Sequence, residues 1–102
     1  MYQPDPKRKP GIDYKYRAWL RTQPCCACWF PPPSVVAHQR CLGGGGIGIK
    51  PPDSDALPLC HHCHAMEHAG AVTFWGQGAR EKTRVYVEMI RDWHIAKYEE
   101  ES

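Results

Sequence analysis

Within nine residues, Cys60-His61-His62-Cys63-His64-Ala65-Met66-Glu67-His68 carries two cysteines and four histidines, a density of sulfur and imidazole donors that points to metal chemistry. Cys60 and Cys63 form a C-x-x-C pair, and Cys25 and Cys28 repeat that spacing upstream. Four thiolates spaced in two such pairs close a tetrahedral zinc site of the structural kind. His64 and His68 stand four apart, so a helix carries both imidazoles on one face. Placed there, they either hold a second ion together or stand as solvated side chains, and spacing does not choose between the two.

Other chemistries use the same letters. Cys60 to His64 is a formal match to the c-type haem attachment pattern, and a C-x-x-C pair also serves as a redox motif. Haem attachment requires an exported chain and leaves Cys25 and Cys28 without a purpose. A thioredoxin-like site requires a βαβ context that the sequence lacks. The four-cysteine zinc site uses both pairs.

The elements that must position these residues belong to a short chain. At 102 residues it reads as one domain, which buries only roughly two-thirds of its unfolded surface. A zinc staple contributes folding energy that so small a core lacks, and it suits a chain with ten prolines and nine glycines. No apolar run is long enough to span a bilayer and no signal segment follows Met1, so a soluble, cytoplasmic protein with reduced, metal-bound cysteines is expected. Net charge is +2 but uneven: residues 1–50 hold eight Lys or Arg against two Asp, and residues 51–102 hold five against nine acids. The first half is the anion-facing side.

Residues 1–12, with Lys7, Arg8 and Lys9 among prolines, read as a flexible basic arm, and residues 99–102 as a frayed acidic tail; the domain proper spans 13–98. Tyr16, Trp19 and Leu20 fall at helical spacing behind a capping Asp13, and Pro24 ends that helix. Residues 34–40 read as a strand with His38 near its end, residues 43–48 as a glycine-rich loop, and residues 56–59 as a second short strand. A helix starts near Cys60 and stops at Gly70, taken as the left-handed residue after a helix end. Phe74 and Trp75 are a core patch. A last helix over 79–98 carries Val85, Met89, Trp93 and Ala96 as its core stripe. The fold class is α+β: two strands and a helix stapled by zinc, with flanking helices.

A C-x-x-C pair, a strand ending in His38, a glycine-rich connection and then Pro58-Leu59-Cys60-x-x-Cys63-His64-x-x-x-His68 together resemble the HNH (ββα-metal) nucleases, especially small phage-type members related to RecA-dependent nucleases. The match runs from about Trp19 to Trp75. It implies that His38 is the general base, that His64 and His68 bind the catalytic ion, and that the four cysteines are zinc knuckles. Counting back nine residues from His64 lands on Asp55 at the position of the family's asparagine. Two departures stand out, Asp55 in place of Asn and Ala37 where many members carry a ligand, and Asp55 or nearby Asp53 could supply that anionic ligand instead.

The resemblance implies a metal-dependent DNA endonuclease of low sequence specificity. Its cofactors are a structural Zn²⁺ and one catalytic divalent ion (Mg²⁺, Mn²⁺, Ni²⁺ or Zn²⁺), and its products end in 5′-phosphate and 3′-hydroxyl. Arg40, Lys50 and the arm would contact phosphate, which sets register without reading sequence. DNA is the expected partner, with a recombinase filament or another phage DNA-processing protein beside it, and no membrane. The competing expectation is a non-catalytic zinc ribbon that binds nucleic acid or protein, in which the histidines have no shared task.

Overall fold

A computed structural model describes residues 12–42 and 51–101. Residues 1–11 of the basic arm, the glycine-rich connection and Lys50 lie outside the described residues. The chain is α+β: helix α1 (Tyr14–Arg21), strand β1 (Val35–His38), strand β2 (Ala56–Leu59), and helices α2 (His61–Ala69), α3 (Ala71–Trp75) and α4 (Arg80–Glu101). Single 3-10 turns follow β1 (Arg40–Leu42) and precede β2 (Asp53–Asp55).

Helix α1 starts where Asp13 caps it, the Oδ1 accepting from the Tyr16 N–H at 3.0 Å. Thr22 closes its far end and Pro24 cannot continue it. The strands pair antiparallel, with Val35 opposite Leu59 and His38 opposite Ala56. Every residue of β2 is buried because both sheet faces are covered. Leu57 and Leu59 join Ala37, Trp75 and Val87 on one face, while Ala56 joins Tyr16, Leu20 and Val36 on the other. That alternation is the period of two that a strand imposes.

A proline inside β2 is tolerated for a geometric reason. The Pro58 carbonyl accepts from the Cys26 N–H at 2.9 Å, on the outer side of the strand. Within a strand the N–H and C=O of one residue point the same way, so Pro58 lacks its donor where no ladder bond is needed. The same bond fastens the first cysteine turn alongside the strand that runs into Cys60.

Three sequence expectations change. Gly70 is extended (φ −179°), not left-handed: its N–H bonds to Met66 and Glu67 carbonyls, and it then serves as the start of α3, a helix the sequence reading did not contain. Among the described glycines, positive φ falls instead at Gly76 (φ 68°), at the end of α3, and at Gly78 (φ 84°). The acidic end is not frayed up to Glu101, since α4 continues there and Glu101 Oε1 accepts from Trp19 Nε1 at 3.2 Å. Finally, Val85, Met89 and Trp93 are exposed, and α4 turns Thr83, Val87 and His94 inward instead. Among the described residues, no helix is long and apolar enough to cross a membrane.

Candidate metal centre and histidine site

Cys25 and Cys28 sit on a tight turn. Its loop is closed by Trp29 N–H to the Cys25 carbonyl at 2.8 Å and by Cys25 N–H to the Phe30 carbonyl at 3.0 Å. Trp29 holds φ 66° there, a left-handed conformation that costs a non-glycine residue roughly 1–2 kcal/mol. Cys60 precedes α2 as its N-cap, its sulfur accepting from the Cys63 N–H at 3.4 Å, and Cys63 lies one turn into the helix. The four Sγ atoms all lie within 4.8 Å of one another. Cys28 and Cys60 sulfurs are 3.7 Å apart. A tetrahedral ion with Zn–S of about 2.3 Å sets its sulfurs ~3.8 Å apart, so the cluster can hold a structural metal such as zinc.

The chemistry of the donor set agrees with that fit. Burial opposes ionisation of Cys25, yet the backbone around its sulfur, at Cys60, Cys28 and Ala27, brings the thiol down to about 7. Burial and then the crowding of Cys60, Cys28 and Cys25 push the Cys63 thiol up. A cation among the sulfurs removes that penalty by neutralising the thiolates. Cys26, whose thiol burial pushes up to about 12, and Cys41 stay outside the cluster.

His38 occupies the last position of β1, with its side chain one quarter exposed. Its Nε2 lies 2.7 Å from Asp53 Oδ1. The other oxygen of Asp53 accepts from the Asp13 backbone N–H and from Arg17 Nε, each at 2.7 Å. Burial of Asp53, whose side chain is 1% exposed, opposes its charge, but Arg17, the Asp13 N–H and His38 together hold its carboxyl below the usual carboxylate range. Asp55, the residue that counting from His64 selects, turns elsewhere: its Oδ1 accepts from Arg91 Nη1 at 3.1 Å. The acid that meets His38 is therefore Asp53, for which the sequence offers no stronger signal than an acid after two prolines, two residues from Asp55.

His64 and His68 share one side of α2, with ring centroids 6.3 Å apart. Glu67 lies beside them. Burial lifts its carboxyl above the ordinary range against the opposing pull of Gln39, His64 and His68. Gln39, which follows His38, donates its Nε2–H to the Ala37 carbonyl at 3.0 Å. Among the described residues, however, only the four cysteines converge as a ligand group of three or more; His38, with Asp53, and the pair His64 and His68 form two separate arrangements. Arg40 is exposed after β1 and lines, with Arg80 and Arg84 of α4, a cleft of 650 Å³.

Similarity to known proteins carries no activity. The chain is 39% identical over 72 residues to the "Uncharacterized protein YdfU" of Escherichia coli (strain K12), an alignment covering 68% of this chain and 20% of that protein. It thus spans about a fifth of the length of that curated relative. No solved structure matches. A family model described as "Protein of unknown function (DUF968)" matches residues 1–93, nearly the whole chain, and the protein belongs to that family.

Proposed function

We propose that the protein is a metal-dependent DNA endonuclease of the HNH (ββα-metal) type. The observation that carries this reading is His38: a partly solvent-open imidazole at a strand end, held by a buried carboxylate, in the same two-strand-and-helix unit as His64 and His68. The ring is oriented here by a charged partner while part of it stays open to solvent, the arrangement a general base needs.

The chemistry is phosphodiester hydrolysis. His38 takes a proton from a water molecule, the resulting hydroxide attacks phosphorus, the P–O3′ bond breaks, and the departing oxygen takes up a proton from solvent, leaving 5′-phosphate and 3′-hydroxyl ends. His64 and His68 would hold the divalent ion, which supplies neutralisation of the phosphate and of the departing oxygen when bound. Arg40, Arg80 and Arg84 face solvent around one cleft and would pair with phosphates along the strand. Zinc in the cysteine cluster has a structural task only, since a closed four-thiolate site leaves no open position for substrate.

The test is incubation of zinc-replete protein with plasmid and single-stranded DNA in Mg²⁺, Mn²⁺, Ni²⁺ or chelator. Divalent-dependent nicking is expected. His38→Ala should reduce it by about 10²–10⁴-fold while leaving DNA affinity close to wild type, because a base acts on water and adds little to ground-state binding. Retention of DNA with no cleavage in any metal would favour the non-catalytic zinc ribbon instead.

A further inference from the structure

We propose that Asp53 is the positioning residue of His38, fixing the imidazole with its proton on Nε2 so that Nδ1 is the nitrogen that takes the proton from water. The inference rests on the nuclease reading for its catalytic half; the hydrogen-bonding half stands on geometry alone.

The argument begins with the carboxylate. Asp53 is fully buried, and its Oδ2 is held from two directions by the Asp13 N–H and Arg17 Nε–H, both at 2.7 Å. Asp13 is at the same time the cap of α1, and Arg17 lies one turn into that helix, so both donors sit on one rigid element. The acid itself is in the 3-10 turn before β2, and that turn is tied to β1 by the Gln39 N–H to the Asp55 carbonyl at 3.0 Å. The carboxylate therefore has little freedom to rotate or withdraw. Its remaining oxygen, Oδ1, meets His38 Nε2 at 2.7 Å.

An ionised carboxylate has lone pairs and no proton to give. The guanidinium of Arg17 and the N–H of Asp13 favour that ionised form. His38 Nε2 must then be the donor, and a neutral ring protonated there carries its lone pair on Nδ1. Without the acid the two tautomers would interchange freely, and only part of the protein would present a competent base. This is the logic by which an acid orients a histidine in hydrolytic triads.

Replacing the acid by its amide sharpens the point. In Asp53→Asn the shape is unchanged, but the single amide oxygen is claimed by two donors, Asp13 N–H and Arg17 Nε–H. The amide NH₂ then faces Nε2, which has to accept. The ring proton moves to Nδ1, where the attacking water needs a lone pair.

Long-range ¹H–¹⁵N correlation spectra of the full, zinc-replete chain read the tautomer directly, at a pH where the ring is neutral, with His38 assigned by comparison with His38→Gln. The wild type should show Nε2–H, and Asp53→Asn should show Nδ1–H. DNA cleavage by Asp53→Asn should fall by about 10²–10⁴-fold, with zinc content and DNA affinity retained. A merely structural aspartate would not exchange the tautomer. An Nδ1–H wild type overturns the proposal, and that spectrum decides it even where the Asn variant does not fold. So does a folded Asp53→Asn protein that keeps the wild-type tautomer or rate. If the spectra switch as stated but the wild type cuts no DNA, the pairing stands and the nuclease assignment alone falls.

Discussion

Two acids two residues apart, both buried, take different partners. Asp53 has three donors around it, whereas Asp55, just before β2, pairs with Arg91 from the last helix. Counting along the chain selects Asp55; the direction in which each side chain leaves the 3-10 turn selects Asp53. Another buried titratable group, His94, makes a prediction at this scale. It is almost fully buried on α4, and its Nδ1 lies 2.8 Å from the Ile90 carbonyl, to which it can donate while neutral. Burial depresses its pKa, with Lys97 adding to that and the Ile90 carbonyl opposing it. The unfolded chain therefore takes up a proton before the folded one does. Stability from this site is complete above the ordinary histidine pKa of about 6.5 and declines as pH falls below it. Urea denaturation between neutral and mildly acidic pH should show a steeper loss for wild type than for His94→Gln; equal slopes would mean that His94 does not set the dependence.

At the scale of elements, α4 is where helical periodicity alone misleads. Val85, Met89 and Trp93 recur at four-residue spacing and look like a core stripe, but Thr83, Val87 and His94 occupy a second stripe of the same period. The second one packs because the helix must also bring Arg91 to Asp55 and present Ile95 and Tyr98 to the α1 cluster. Of the first, Met89 and Trp93 are left lining a groove of 370 Å³ with Trp29. Val87→Ala, at a position with no exposure, should cost about 2 kcal/mol of unfolding free energy. Met89→Ala, at 67% exposure, should stay within about 0.5 kcal/mol. Chemical denaturation of the two variants compares them, and a larger cost at Met89 would reverse the orientation of the helix.

For the whole molecule, the cysteine cluster joins the turn after α1 to the start of α2, segments more than thirty residues apart in the chain. The two faces of a two-stranded sheet offer a small core, and a metal at that junction stabilises both cysteine-bearing segments at once. We expect one zinc per chain, and unfolding on chelation or in Cys63→Ser, followed by circular dichroism and metal analysis. Cys26→Ser and Cys41→Ser should keep the ion, as neither sulfur belongs to the cluster. A zinc-free wild type that melts cooperatively at the same temperature would show that the metal is not what holds these segments together.

Local chemistry was readable from the residues alone. The spacing within each C-x-x-C pair, the Asp13 cap with Pro24 beyond, the strand running into Cys60 and the histidine helix all depend on neighbours within about one turn or one strand, and each appears where the sequence puts it; only the repeat of the pair signalled that the two distant turns would meet. What tertiary structure decided involves partners brought together from distant segments. It chose Asp53 over Asp55 for His38, one stripe of α4 over another of equal period, and an extended Gly70 leading into α3. Those choices depend on which surfaces meet after the sheet is covered on both sides, and periodicity within a single element holds no information about its partner.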